Sequence, residues 1–432
     1  MKRIAQEIFR HTLAAIDIHD ALERRIDRRG PLISGAGSDV DLRDFREIVA
    51  IAFGKASFSM AHALSAILAP DFAVQGIVVG PDAQRRPLPG WEAFSGSHPL
   101  PTESSFAAGR AILDRLARCD EKSLVLFLIS GGGSAMVESP LDPSLQLEDF
   151  RQLHSALVAC GAPIEQINAI RKHLSAVKGG RLAAVPCSLK FTYAISDVPQ
   201  GQESALASGP TLPDPTTVAD AYAIAAKYDL VPKFTVAVRK IFESHALRET
   251  PKHGDAVFSR NHFFRILGEH ELLHASHHAS EAEGFHCLVD PLTDGWPLER
   301  AANHLLETLE NFRADNPGKR VALFAGGELS SPVAGEGIGG RNSAFVLTCV
   351  PKIAGKHIAV LSAGTDGIDG NSPAAGAVAD GQSLKRAKAL GMDVALFLNA
   401  SDAYTFFARL DDAIVVGPTG NNLRDLRILL AQ

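Results

Sequence analysis

Residues 123–136, SLVLFLISGGGSAM, limit what this chain can fold into more than any other stretch. The apolar run from Leu124 to Ile129 has the length of a strand buried on both faces, as in a parallel sheet covered by helices. It ends abruptly in Ser130, then Gly131, Gly132 and Gly133, then Ser134. Three successive glycines let the backbone turn sharply and bring bare N–H groups up to an anion. That is the strand edge where open α/β sheets take their ligands. Alone, the stretch also fits an ordinary glycine-rich strand-to-helix turn; its weight comes from repetition.

The same grammar of apolar strand, small-residue loop and helix recurs along the chain. Residues 48–53 (IVAIAF) run into Gly54-Lys55-Ala56-Ser57 and a predicted helix to about Leu68, and 74–79 read as a further strand. Residues 191–195 (FTYAI) lead to Ser196-Asp197, 321–325 (VALFA) to Gly326-Gly327-Glu328, and 357–363 (HIAVLSA) to Gly364-Thr365-Asp366. Strands alternating with helices predict an α/β fold with parallel sheets under helical cover. A chain of 432 residues is too long for one ordinary domain and predicts two. Residues 250–260, TPKHGDAVFSR, lack clear periodicity and are the candidate linker, which divides the chain into 1–255 and 256–432. At the start, Ile4, Ile8, Ile16, Leu22 and Ile26 among many charges predict an amphipathic helix.

Composition excludes several classes of function. The chain is 46% hydrophobic and 21% charged, which describes a globular protein with a large core. A net charge of -6 argues against nucleic acid as the main partner. Cys119, Cys160, Cys187, Cys287 and Cys349 are scattered without a C-x-x-C pair, the usage of a reduced compartment and not of a zinc framework. No apolar run reaches membrane-spanning length, and Glu7, Asp17, Asp20 and Glu23 speak against a transit peptide. The expectation is a cytoplasmic protein with no membrane partner.

Three short motifs suggest other chemistries. His270-Glu271-Leu272-Leu273-His274 matches the HExxH of zinc peptidases, but His277 stands where the extended pattern needs glycine, so a solvated histidine-rich helix is expected. Ser175 and Lys178 match SxxK of penicillin-recognising enzymes, without the companion motifs. Residues 335–340, GEGIGG, match GxGxxG, yet Ser330-Ser331-Pro332 ahead of them makes a poor central strand.

A broader constellation points to phosphoryl transfer. Residues 166–182 carry Arg171, Lys172, Lys178 and Arg181 at helical spacing along one side, concentrating positive charge near Gly179-Gly180. Ser208, Gly209, Pro210 and Thr211 form a rigid turn with two hydroxyls, and Gly339-Gly340-Arg341-Asn342 presents a guanidinium suited to a carboxylate or phosphate. Asp197, Glu328, Asp366 and Asp369 are acids at strand ends, where oxygen ligands for magnesium are expected. Phosphoryl transfer needs positioning and charge neutralisation more than covalent chemistry. No Walker A motif is present, so the phosphate site must be of another design.

The motifs LISGGGSAM, NAIRKHLSAVKGGRLA, SDV with ASGPTLPD, GGE, GIGGRN, AGTDGIDGNSPAAGAVADG and VGPTGNNLRDLRILL resemble, in this order, the class II glycerate kinases, whose C-terminal part is called MOFRL. The resemblance runs from Lys55 to Leu430. It implies a Rossmann-like parallel N-terminal domain, a smaller mixed-sheet C-terminal domain and an active site in the cleft between them. It further implies ATP, a divalent cation such as Mg2+, and phosphorylation of D-glycerate at the 2-hydroxyl. Some members carry a hydroxypyruvate reductase name, which leaves an NAD(P)H-dependent reductase as the alternative, with an inactive hydroxy-acid-binding homologue as another.

By the same resemblance, Lys55 and Arg341 are the essential cations, and Ser130 to Ser134 cradle phosphates. Arg171, Lys172, Lys178, Ser208, Gly209, Thr211 and Gly340 join as binding residues, and Asp197 holds metal or orients the substrate hydroxyl. Glu328 and Asp366 are further metal candidates. Both essential cations are expected to be solvated loop residues whose removal leaves stability nearly unchanged. Two segments depart from the family pattern. After SDV the chain reads Pro199-Gln200-Gly201-Gln202-Glu203 in place of the usual Pro-Gly-Asp-Asp, and Ser343-Ala344 replace Gln-Glu after GGRN. These departures leave room for a related hydroxy acid such as a tetronate.

Overall fold

The computed structural model describes every residue except 82–87, 98 and 200, so Gln200 of the altered segment lies outside the described residues. It divides into two compact units. The N-terminal unit is Ile18–Ile266, and the C-terminal unit joins Leu267–Gln432 to the leading segment Met1–Asp17.

In the N-terminal unit a hairpin of β1 (Leu32–Ser34) and β2 (Asp39–Asp41) precedes the main sheet. The sheet comprises β3 (Glu47–Phe53), β4 (Val74–Gly80), β5 (Trp91–Ser95), β6 (Ser123–Ile129), β7 (Leu189–Ile195) and β8 (Asn261–Leu267). Their order is β5-β4-β3-β6-β7-β8, and the four pairings from β5 to β7 are all parallel. The continuous apolar runs of β3 and β6 suit this central position, because helices cover both faces of a parallel sheet and leave no face for water. Val49, Ile51 and Phe53 share one face with Val125, Phe127 and Ile129, packed against Ala108, Ile112 and Leu116 of the helix Glu103–Leu116. A second core, including Phe106, Leu153, Ile170, Leu230 and Phe242, binds the helices of the unit to one another.

The C-terminal unit is built on a mixed sheet, as the resemblance implies. It contains β9 (Phe285–Asp290), β10 (Arg320–Ala325), β11 (Ile358–Gly364), β12 (Gly376–Asp380), β13 (Ala413–Ile414) and β14 (Asp425–Ala431), in the order β13-β12-β11-β14-β10-β9. β14 is antiparallel to both β10 and β11, so those two strands end at the edge where β14 begins. Gly364 pairs with Asp425 and Ala325 with Arg427 across these ladders. Leu305, Leu309, Phe345, Phe406 and Phe407 pack against Val321, Leu323, Val360 and Leu429 to form the core.

Several expectations need correction. Residues 250–260 are not a free linker: Thr250 donates to Asp214 at 2.9 Å, and Arg260 accepts from the Lys190 N–H at 2.8 Å, which ties the segment to the N-terminal unit. The boundary lies instead at Ile266/Leu267. The leading amphipathic segment is two helices, Lys2–Ala15 and Ile18–Ile26. The first belongs to the C-terminal unit, where it buries Ala5, Ile8, Phe9 and Thr12, and Ile16 accepts a hydrogen bond from Asn421. The predicted helix over 166–182 stops at Leu174, where Ser175 takes extended backbone (φ -102°, ψ 139°), and a separate turn of helix covers Arg181–Ala184 after left-handed Gly179 and Gly180. Among the described residues no helix is long and apolar enough to cross a membrane.

Candidate active site

β3 pairs with β4 on one side and β6 on the other, so the strand order reverses between β3 and β6. In open α/β sheets such a reversal leaves a crevice at the carboxyl ends of the strands. Both glycine-containing loops singled out in the sequence open there, and they are stitched together. The Lys55 N–H donates to Gly131 O at 2.9 Å, the Ser130 N–H to Phe53 O at 3.1 Å, and the Ala56 N–H to Ser130 Oγ at 3.0 Å. Gly54 has φ +118°, and a Cβ there would run into the carbonyl and hydroxyl of Ser130. Gly132 has φ +80° and opens the short turn Gly133–Met136. Lys55 is exposed on this scaffold, whereas Ser130 is fully buried with its hydroxyl engaged by backbone. Ser130 therefore shapes the loop instead of presenting its hydroxyl to a phosphate.

The 208–211 turn lies against the triple-glycine loop. Ser134 Oγ is 2.7 Å from Ser208 Oγ, which in turn donates to Asn168 at 3.1 Å. Gly179 and Gly180 donate to Ser208 O and Gly209 O at 3.0 and 2.7 Å. Thr211 is buried and its hydroxyl accepts from Thr192, so it supports the turn from behind. Asp197 is half-buried just beyond β7, at the same sheet edge.

The basic segment is mostly turned inward. Lys172 is buried in an ion pair with Asp214 at 3.0 Å. Lys178 is buried against Glu138 at 2.5 Å, and burial pushes its ammonium down to about 8 despite that carboxylate. Ser175 donates to the other oxygen of Glu138, so the SxxK residues meet in a buried structural knot. Arg181 Nη2 donates to the carbonyls of Arg248 and Glu249. These placements replace the expected basic helical face with internal ties, because an unpaired buried ammonium is far costlier than a paired one. Arg171, which donates to Ser134 O at 3.5 Å, is the member of the set at the glycine loop.

In the C-terminal unit the helix Arg341–Cys349 begins at Gly340, where a Cβ would meet Asp369. Asp369 is buried and caps this helix, accepting from the Asn342 and Ser343 N–H groups at 2.9 Å each. Burial raises its pKa, which those hydrogen bonds counteract. Ser343, one of the departures from the family pattern, donates its hydroxyl to the same carboxylate. Arg341 Nε donates to Asp425 Oδ2 at 2.5 Å and its Nη1 lies 2.9 Å from Glu328 Oε2. Burial works against the guanidinium charge, but Asp425 and Glu328 hold its pKa above the ordinary value. Arg341 is thus not a solvated loop cation: it neutralises an Asp425 side chain only 4% exposed.

Asp425 and its neighbours were not among the expected site residues. Arg427, fully buried, donates to Gly326 O and Gly327 O and fixes the backbone of the Gly-Gly-Glu loop. Arg424 pairs with Asp294, which accepts the Glu328 N–H at 2.9 Å. The sequence signal was available in LRDLRILL, where charges interrupt a run that must be buried to be a central strand. His270 and His274 are exposed on the helix Glu269–Ala282, with ring centroids 6.2 Å apart. GEGIGG follows irregular backbone and not a strand.

The acids expected to hold metal are unequally placed. Glu328 is engaged with Arg341, while Asp366 accepts the Ile368 N–H at 3.1 Å. Among the described residues, none of Asp197, Glu328 and Asp366 belongs to a cluster of three potential ligands. The donors fit a hard divalent ion that takes one or two carboxylates and completes its shell with phosphate oxygens, and not an all-protein cage.

Comparison with known proteins bears on the whole chain. Residues 4–243 match a domain of unknown function, DUF4147, and residues 321–425 match the MOFRL family. A protein of Agrobacterium vitis bearing a hydroxypyruvate reductase name is 38% identical over 397 residues, covering 88% of this chain and 86% of its own length. The D-glycerate 2-kinase of Thermotoga maritima is 33% identical over 385 residues, covering 88% of this chain and 90% of the relative. The crystal structure of a glycerate kinase from Thermotoga maritima superposes with a TM-score of 0.87 at 31% identity, covering 100% of this chain and 99% of that one.

Proposed function

Because this chain belongs to the glycerate 2-kinase family with a MOFRL domain, we propose that it transfers the γ-phosphoryl group of ATP to the 2-hydroxyl of D-glycerate, giving 2-phosphoglycerate and ADP. The observation that carries this reading is the joining of the Lys55 loop to the triple-glycine loop at the β3/β6 reversal. In the reaction the substrate hydroxyl oxygen forms a bond to phosphorus as the bond to the leaving ADP oxygen breaks. Charge builds on the transferring oxygens. The backbone N–H groups of Gly131 to Gly133, carried on a loop fixed by main-chain hydrogen bonds, and the exposed Lys55 ammonium are the groups suited to neutralise it. Arg341, the other cation that the family resemblance implies, is suited to a phosphate or to the substrate carboxylate. Asp197 is the acid suited to orient the hydroxyl and accept its proton.

Mg2+ brought with ATP would find a carboxylate in Asp197 or Asp366 and would supply further charge neutralisation. A close relative of glycerate, such as a tetronate, remains within this reading because of the altered 199–203 segment. A cytoplasmic setting accords with five cysteines that are all free thiols.

The reductase name carried by the Agrobacterium vitis relative makes hydroxypyruvate reduction the competing reading. The irregular backbone before GEGIGG offers that reading no strand-to-helix dinucleotide turn. Purified protein supplied with ATP, Mg2+ and D-glycerate is expected to release ADP and 2-phosphoglycerate. Oxidation of NAD(P)H by hydroxypyruvate at useful rates, with no ADP formed from D-glycerate, would overturn the proposal.

A further inference from the structure

The two carboxylates on Arg341 are not equivalent. Asp425 grips Nε and Nη2, and its side chain is 4% exposed. Glu328 meets only Nη1, and its side chain is 43% exposed. An exposed single-contact ion pair is weak and readily exchanged, whereas displacing a buried carboxylate from its cation is strongly disfavoured. The backbone beneath Glu328 is fixed: Arg427 donates to the carbonyls of Gly326 and Gly327, and Asp294 accepts the Glu328 N–H. Only the Glu328 side chain has to swing to uncover the Nη1 edge.

From this asymmetry we propose that Glu328 is an affinity-setting residue, a built-in carboxylate that competes with substrate anions for the Nη1 edge of Arg341 while Asp425 keeps the guanidinium in place. The anion it competes with is a carboxylate or a phosphoryl oxygen. The proposal rests on reading Arg341 as an anion-binding residue, and it gives Glu328 a role different from metal ligation. A competitor lowers apparent affinity for the anion without being needed for turnover, whereas a metal ligand sustains turnover and sets the metal requirement.

The test is Glu328→Gln, an isosteric change at a half-exposed position that should fold. D-glycerate and ATP are each titrated calorimetrically into the wild-type protein and the variant, and KM, kcat and the Mg2+ requirement are measured alongside. The expected result is roughly threefold to tenfold tighter binding of one of the two, D-glycerate if the anion is the carboxylate and ATP if it is phosphoryl, with the Mg2+ requirement unchanged. Unchanged or weaker binding of both ligands would overturn the proposal, as would a raised Mg2+ requirement with lowered kcat. Arg341→Ala separates this failure from that of the reading beneath it. If Arg341→Ala binds both ligands as the wild type does, Arg341 is not an anion site, whatever Glu328 does.

Discussion

In the N-terminal unit, Lys55 stands exposed on a scaffold of backbone hydrogen bonds and left-handed glycines; in the C-terminal unit, Arg341 is held between the carboxylates of Glu328 and Asp425. The first loop is shaped by main chain, and the charged residues of its neighbourhood, Lys172 and Lys178, serve as buried ties behind it. The second loop is shaped by charge itself, through Arg341, Arg424 and Arg427 and the acids around them. Lys55 is exposed and its loop is tied through main chain, so removing the side chain leaves those backbone hydrogen bonds in place. Removing Arg341 instead leaves Asp425 buried without its partner.

The largest effect expected from this contrast is at Arg341. Arg341→Ala should depress turnover by about a thousandfold, the scale seen when a transition-state cation is lost. It should also lower stability by about 1–3 kcal/mol, because Asp425 is left buried without its partner. Arg341→Lys should be impaired as well, since an ammonium cannot reproduce the fork that spans two carboxylates. Steady-state ADP release together with thermal melts checks both parts. An unchanged melting temperature in Arg341→Ala would remove the proposed difference between the units.

Next is the buried tie behind the glycine loop. Lys178→Met leaves Glu138 buried and unpaired and should cost about 3 kcal/mol in urea unfolding. A loss below about 1 kcal/mol would mean that the knot of Ser175, Lys178 and Glu138 does not anchor the loop.

A smaller effect concerns acid. Burial raises the Glu249 carboxyl, but hydrogen bonds from Lys252, the Val218 N–H and His173 outweigh that and take it from 4.5 to about 2. A carboxyl depressed in the folded state binds fewer protons there than when unfolded. Its stabilisation is therefore present above pH 4.5 and is lost as pH falls toward 2. Glu249→Gln should flatten this acid limb in pH-dependent melts, modestly because the side chain is half-exposed. The smallest effect is at the histidine helix. The double variant His270→Gln and His274→Gln should keep turnover and melting temperature near wild type, and loss of activity would reveal a site on that helix.

What was legible in the sequence follows the same division. The strands of the parallel sheet and the glycine turns after β3 and β6 were readable because local backbone chemistry decides them: apolar runs buried on both faces, then residues that tolerate left-handed φ. At the charge-built edge the charges inside LRDLRILL and the cation Arg341 were readable, but which acid meets which cation was not. Asp425 lies 84 positions from Arg341, and Lys172 and Lys178 lie 42 and 40 positions from the acids that bury them. Helical spacing placed the basic residues along one side as a patch of positive charge, but it holds no information about acids so far along the chain. The leading helix Lys2–Ala15 was recognised as amphipathic, yet which unit its apolar face would join depended on contacts such as Asn421 with Ile16.

The most direct test of the account is turnover of Lys55→Met, measured with ATP, Mg2+ and D-glycerate beside its melting temperature. The reversal between β3 and β6 as the seat of phosphoryl transfer predicts about a thousandfold loss of turnover with the melting temperature unchanged. Near-normal turnover in a folded Lys55→Met protein would contradict it and move the chemistry away from that sheet edge.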